Sequence, residues 1–140
     1  MILSGAWLPA DVLLIHQGRG AFDDRRQVRE AEFQQAVSAG DKLRRLIEIQ
    51  LPASDEDVHE WSIGIQAWNE AILDPAQRPA QREIYTRWRQ VVLEFLGSEV
   101  LADRFTSMVG GLAIQVLAQT TGMTVDRMRE ILLDAFESRL

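Results

Sequence analysis

The stretch from residue 56 to 95 constrains this chain most, because its large apolar side chains recur at helical rather than strand spacing. Trp61, Ile65, Trp68 and Ile72 follow one another at steps of four, three and four, so they share one face of a helix. Ile84, Trp88, Val91, Val92 and Phe95 repeat the pattern on a second helix, with Tyr85 and Arg89 one position to the side. Between them Asp74-Pro75 closes the first helix, since the residue before proline is pushed out of the helical region. Pro79 suits the first turn of the second. Three of the four tryptophans and the only tyrosine lie in this hairpin, which gives it an aromatic inner face.

The flanking segments extend the same all-α pattern. From Asp23 to Leu51, Phe33, Val37, Leu43 or the aliphatic stem of Arg44, Ile47 and Leu51 suit one long helix or two joined near Gly40, and Asp41 is a competent N-cap for the second. Pro52 ends that segment. Ser54 or Asp55 then caps the Trp61 helix, whose acidic first turn complements the helix dipole. Gly97 terminates the next helix, Ser98 caps one running from Glu99 to about Thr120, and Thr124 caps the last.

The Glu99 helix is apolar on two sides and therefore has to be buried twice, once in its own subunit and once against a copy of itself. Gly110-Gly111 weakens it by about 1 kcal/mol per residue, which is reasonable where another helix comes close. The expected interface is Val109, Ala113, Val116 and Leu117 on this helix, with Met128, Ile131, Leu132, Ala135 and Phe136 on the last. Two terminal helices meeting their two-fold copies make a dimeric four-helix bundle.

At 140 residues and 46% hydrophobic content the chain supports one core. The absence of cysteine excludes disulfides and thiol chemistry and fits a reducing, cytoplasmic setting. No apolar run approaches the roughly 20 residues that cross a bilayer, and the N-terminus lacks the basic start of a signal peptide. No membrane partner is expected. The net charge is −6, the acidic excess falls after residue 50, and Lys42 is the only lysine, so no basic stripe advertises DNA binding.

The aromatic cluster supports either a plain hydrophobic core or a ligand pocket, in which tryptophan and tyrosine supply apolar walls with a polar handle. Arg89, Gln66, Asn69 and Tyr85 are the polar groups best placed to orient a ligand. His59 and Asp55 have i, i+4 spacing, but two groups on a first turn rarely hold a metal. No two carboxylates fall together on an apolar face, and no nucleophile motif or phosphate loop is present, so neither a catalytic role nor a metal or cofactor is expected.

Trp61, Trp68, Glu70-Ala71, Asp74-Pro75, Tyr85 and Arg87-Trp88-Arg89 resemble the L-W-x-E-A-x-x-D-P and Y-x-x-W-R stretches of tetracycline-repressor-like (TetR family) regulators. Met108-Val109-Gly110-Gly111-Leu112-Ala113-Ile114-Gln115 is similar to that family's D-G-L-A-L-Q segment, so the resemblance covers roughly residues 28 to 138. It implies an all-α helical bundle that binds a small, largely apolar effector between its central helices and forms a homodimer. The ligand-binding residues it implies are Trp61, Ile65, Trp68, Tyr85, Trp88, Arg89, Phe105 and Met108. It also implies a helix-turn-helix of roughly 45 residues ahead of this region. Residues 1–22 are too short for one, so that DNA-binding module is expected to be absent or truncated, and residues 23–140 form the effector-binding and dimerisation domain.

One stretch competes. Residues 114–132, with Ala118, Gly122 and a helix capped by Thr124, also read as a helix-turn-helix-like hairpin in a small DNA-binding or adaptor protein. Its second helix exposes Asp126, Arg127, Arg129 and Glu130, whose charges cancel.

Overall fold

The computed structural model describes residues 38–140; the readings of residues 1–22 and 23–37 lie outside the described residues. Among the described residues there are five α-helices and no strands. They are α1 (Ala39–Glu48), α2 (Asp55–Leu73), α3 (Arg78–Leu96), α4 (Glu99–Ala118) and α5 (Val125–Phe136).

Local chemistry sets nearly every boundary. Ser38, rather than Asp41, caps α1: its Oγ accepts from the Asp41 amide at 3.0 Å, which puts Gly40 and Asp41 inside the first turn. At the start of α2, Ser54 and Asp57 form a reciprocal capping box, with the Asp57 amide 3.1 Å from Ser54 Oγ and the Ser54 amide 3.2 Å from Asp57 Oδ2. Asp74 is extended (φ −131°, ψ 108°) ahead of Pro75, and a 3₁₀ turn, Pro75–Gln77, leads into α3. Arg78 folds back and donates from Nε to the Ala71 carbonyl at 2.8 Å, placing a cation on the carbonyl end of α2. Gly97, at φ +72°, ends α3 in the left-handed region that favours glycine. Ser98 and Thr124 cap α4 and α5. The fourth helix stops at Ala118, slightly before the expected Thr120, where Gln119 turns left-handed at φ 55°.

The packing runs from α1 to α5, α5 to α4, α4 to α3 and α3 to α2, and α2 also touches α4. The core is made by Leu43, Leu46 and Ile47 of α1, Ile84, Trp88 and Val92 of α3, Phe105 and Val109 of α4, and Met128, Leu132 and Phe136 of α5. Phe105 and Phe136 meet edge to face with centroids 5.2 Å apart. Arg129 of α5 pairs with Glu48 of α1 and with Asp126, while Arg89 of α3 pairs with Asp103 (2.7 Å) and Glu99 (3.6 Å) of α4.

Three sequence expectations change here. First, the buried side of α2 is Glu60, Trp61, Gly64, Ala67 and Ala71; Trp68 and Ile72 are exposed at 40% and 67%. Small residues give the packed face, and the large apolar ones beside it are left to wall a cavity. Second, Val109, Ala113, Met128, Leu132 and Phe136, expected at a dimer interface, are 0–1% exposed in the chain's own core, so they have no surface to offer a second copy. Only Val116, Leu117, Ile131 and Ala135 of that set stay half-buried. Third, α4 is long and apolar enough by length and composition to cross a membrane, where no such run was expected. In this fold Ala102, Phe105, Val109, Leu112 and Ala113 of that helix are buried, while Val100 and Ile114 are exposed at 67% and 49%.

Candidate functional site

The triangle of α2, α3 and α4 does not close completely. It encloses a cavity of about 420 Å³, within the range of small-molecule sites. The long wall is α2, which contributes Glu60, Trp61, Gly64, Ile65, Trp68, Asn69 and Ile72; Tyr85 comes from α3, and Thr106, Ser107, Gly110, Gly111 and Ile114 come from α4.

The aromatic walls are held by polar handles. Trp61 Nε1 donates to the buried Gln50 carbonyl at 2.9 Å, which fixes the indole against the segment joining α1 to α2. Tyr85 Oη lies 2.9 Å from Thr106 Oγ1, and the Thr106 hydroxyl is 3.1 Å from the Ala102 carbonyl. A hydroxyl with one proton that donates to a carbonyl can only accept from its other neighbour, so Tyr85 is the donor. Trp68 then stands edge-on to Tyr85, with centroids 5.9 Å apart and planes at 82°. Glu60 is also a lining residue and is only 5% exposed.

Within this chain no helix approaches the Gly110-Gly111 pair closely. A Cβ built on either glycine meets nothing within 4 Å, and both glycines border the cavity. Their missing side chains add volume to the site.

Of the eight residues expected to bind ligand, Trp61, Ile65, Trp68 and Tyr85 are on the wall. Trp88 (1% exposed) and Phe105 (0%) are core residues instead, buried in one cluster that also holds α1 and α5 side chains. Arg89 is engaged by Asp103 and Glu99; the Asp103 hydrogen bond raises the guanidinium's affinity for its proton and holds the Asp103 carboxyl below its ordinary value. Met108 is half-buried against the core. Asn69 borders the cavity, whereas Gln66 is exposed. Sequence reasoning missed Glu60. The available signal was the run Glu60, Gly64, Ala67, Ala71 at steps of four, three and four, a second face of α2 whose small members mark it as the packed one.

In the competing hairpin, Arg127 pairs with Glu130 at 2.9 Å and Arg129 with Glu48 and Asp126, while Met128 and Leu132 are core residues. The cations that would read DNA are matched by carboxylates.

Residues 39–140 match the pattern of a family described as "BetI-type transcriptional repressor, C-terminal". The fold is similar to a transcriptional regulator from Saccharomonospora viridis, solved in complex with choline. The TM-score is 0.77 and the identity 31%, over 91% of this chain and 71% of that one. No curated protein matches the chain.

Proposed function

Because the chain belongs to the TetR family of transcriptional regulators through its BetI-type repressor C-terminal domain, we propose that the cavity between α2, α3 and α4 is its effector site and that the effector is a small organic cation with an apolar body, such as a quaternary ammonium. One observation carries this reading: Trp61, Trp68 and Tyr85 line a largely apolar cavity between α2, α3 and α4. The negative faces of aromatic rings attract a cation by about 0.5–2 kcal/mol each where water is displaced. That the similar Saccharomonospora viridis regulator was solved with choline supports the same class of ligand.

In a regulator of this kind the effector acts by binding one conformation of the domain better than another, which shifts the spacing of two DNA-reading modules in a homodimer. Reading of DNA is assigned to a module outside residues 38–140, and the protein acts in the cytoplasm. The dimer surface would use the outward sides of α4 and α5, where Val116, Leu117, Ile131 and Ala135 retain exposed area.

Calorimetric titration with choline and with its neutral isostere 3,3-dimethylbutanol tests the charge requirement. Choline is expected to bind at least tenfold more tightly than the alcohol, and Trp68→Ala to reduce that difference. Equal affinity for the two compounds refutes the cationic reading.

A further inference from the structure

Inside a helix glycine loses more conformational freedom on folding than any other residue and has no side chain to pack, so alanine is the better choice wherever it fits. Gly110 lies in the middle of α4 with ordinary helical backbone, since Gly97 and Gly122 are the glycines at positive φ among the described residues. A Cβ added to it meets nothing within 4 Å. Neither its own backbone nor a neighbouring atom of this chain therefore requires a glycine at this point.

What the position does border is the cavity. Thr106, four residues before Gly110, and Ile114, four residues after, are both lining residues, so the three share one face of α4 and Gly110 sits between the other two. Gly110 is half-buried, whereas the neighbouring Gly111 is exposed. A side chain at position 110 would stand on the cavity face beside Thr106 and Ile114. At roughly 30 Å³ per heavy atom, the share of one water in the liquid, the four carbons of a leucine side chain there would take more than a quarter of the 420 Å³.

We propose that Gly110 is a specificity-determining residue of the effector site: the space it leaves is filled by the effector, whose bulk exceeds that of a trimethylammonium group and reaches α4. This rests on the cationic reading of the cavity and adds a size requirement to it. The free protein carries a poor helix former at this point, and the contacts that a Cβ could make there are made by the ligand instead. Close approach of a helix from a second copy is the competing use of a bare glycine, and the experiment separates the two.

The test is calorimetric titration of the full chain with tetramethyl-, tetraethyl- and tetrapropylammonium, which vary bulk at constant charge. Wild-type Kd should fall at least tenfold from the methyl to the propyl compound, on the order of two added methylenes buried at about fourfold each. Gly110→Leu should cancel most of that gain. Gly110→Ala should cancel a smaller part and raise Tm by about 4 °C, since alanine favours the helix and its methyl meets nothing. A wild-type protein that binds the three cations equally, or rejects the propyl compound, overturns the size requirement and leaves the cationic reading in place. Failure of all three and of choline overturns both. A propyl-to-methyl ratio that neither variant lowers overturns the role of Gly110. A Gly110→Ala protein that melts lower and has half the wild-type solution mass also overturns it, because the glycine then serves contact between copies.

Discussion

Replacing Gln50 with methionine should stabilise the protein. Gln50 is 0% exposed, and neither Nε2 nor Oε1 of its side chain meets a hydrogen-bond partner among the described residues. Burying an amide without a partner costs about 1–3 kcal/mol on the scale of protein mutational data. Methionine has a similar length and volume without the polar atoms, so it relieves that penalty with little repacking. The backbone carbonyl of Gln50, which accepts from Trp61 Nε1 at 2.9 Å, is unchanged by the substitution. The expected gain is about 1–3 kcal/mol, which for a domain of this size raises Tm by roughly 4–12 °C. Urea unfolding followed by tryptophan fluorescence measures it, and an unchanged m-value keeps the comparison within the native and denatured states of the wild type. A loss of 1 kcal/mol or more in the methionine variant would refute the reasoning, because it would mean that the amide is engaged, directly or through water, and that its removal orphans a partner. Measuring the variant with and without choline also separates a purely structural amide from one that the effector uses.

Other consequences follow from the same geometry. Trp61→Phe removes the indole donor, leaves the buried Gln50 carbonyl without it, and should cost about 1–3 kcal/mol of stability in addition to weakening effector binding; equal urea midpoints for the two proteins would contradict this. Trp88→Ala should cost about 3–5 kcal/mol, since the residue is 1% exposed in the core, while choline affinity per folded molecule stays close to wild type; a selective loss of binding would return Trp88 to the site. The Asp103 carboxyl is held below its ordinary value by the hydrogen bond from Arg89, so its contribution to stability is present above about pH 4, the unfolded value, and is lost as pH falls through the lower folded value. Asp103→Asn should therefore flatten the acid limb of the stability curve below about pH 4 and leave neutral-pH binding unchanged, as acid-dependent melting would show. Leu117→Asp, on a half-buried position of α4, should halve the solution mass measured by light scattering while helicity is kept; Phe136→Asp, at 0% exposure, should instead unfold the chain.

The sequence by itself determined the local grammar of this protein. Ser54, Ser98 and Thr124 cap helices, Asp74-Pro75 breaks one, and Gly97 ends another, because each acts through its own backbone or that of residues three or four away. The family resemblance was also legible, since it rests on spacing along the chain. What spacing cannot say is which surface a helical face meets. Trp61, Trp68 and Trp88 look alike in sequence, yet one is a pinned cavity wall, one a part-exposed rim and one core. The same holds for Gly110-Gly111: their spacing does not say that they border the cavity between α2, α3 and α4. Val109, Ala113, Met128, Leu132 and Phe136 have the periodicity of an interface, and the chain's own packing of α4 on α5 buries them first. Periodicity fixes the angle of a side chain about its helix axis; only the docking of five helices fixes what lies at that angle.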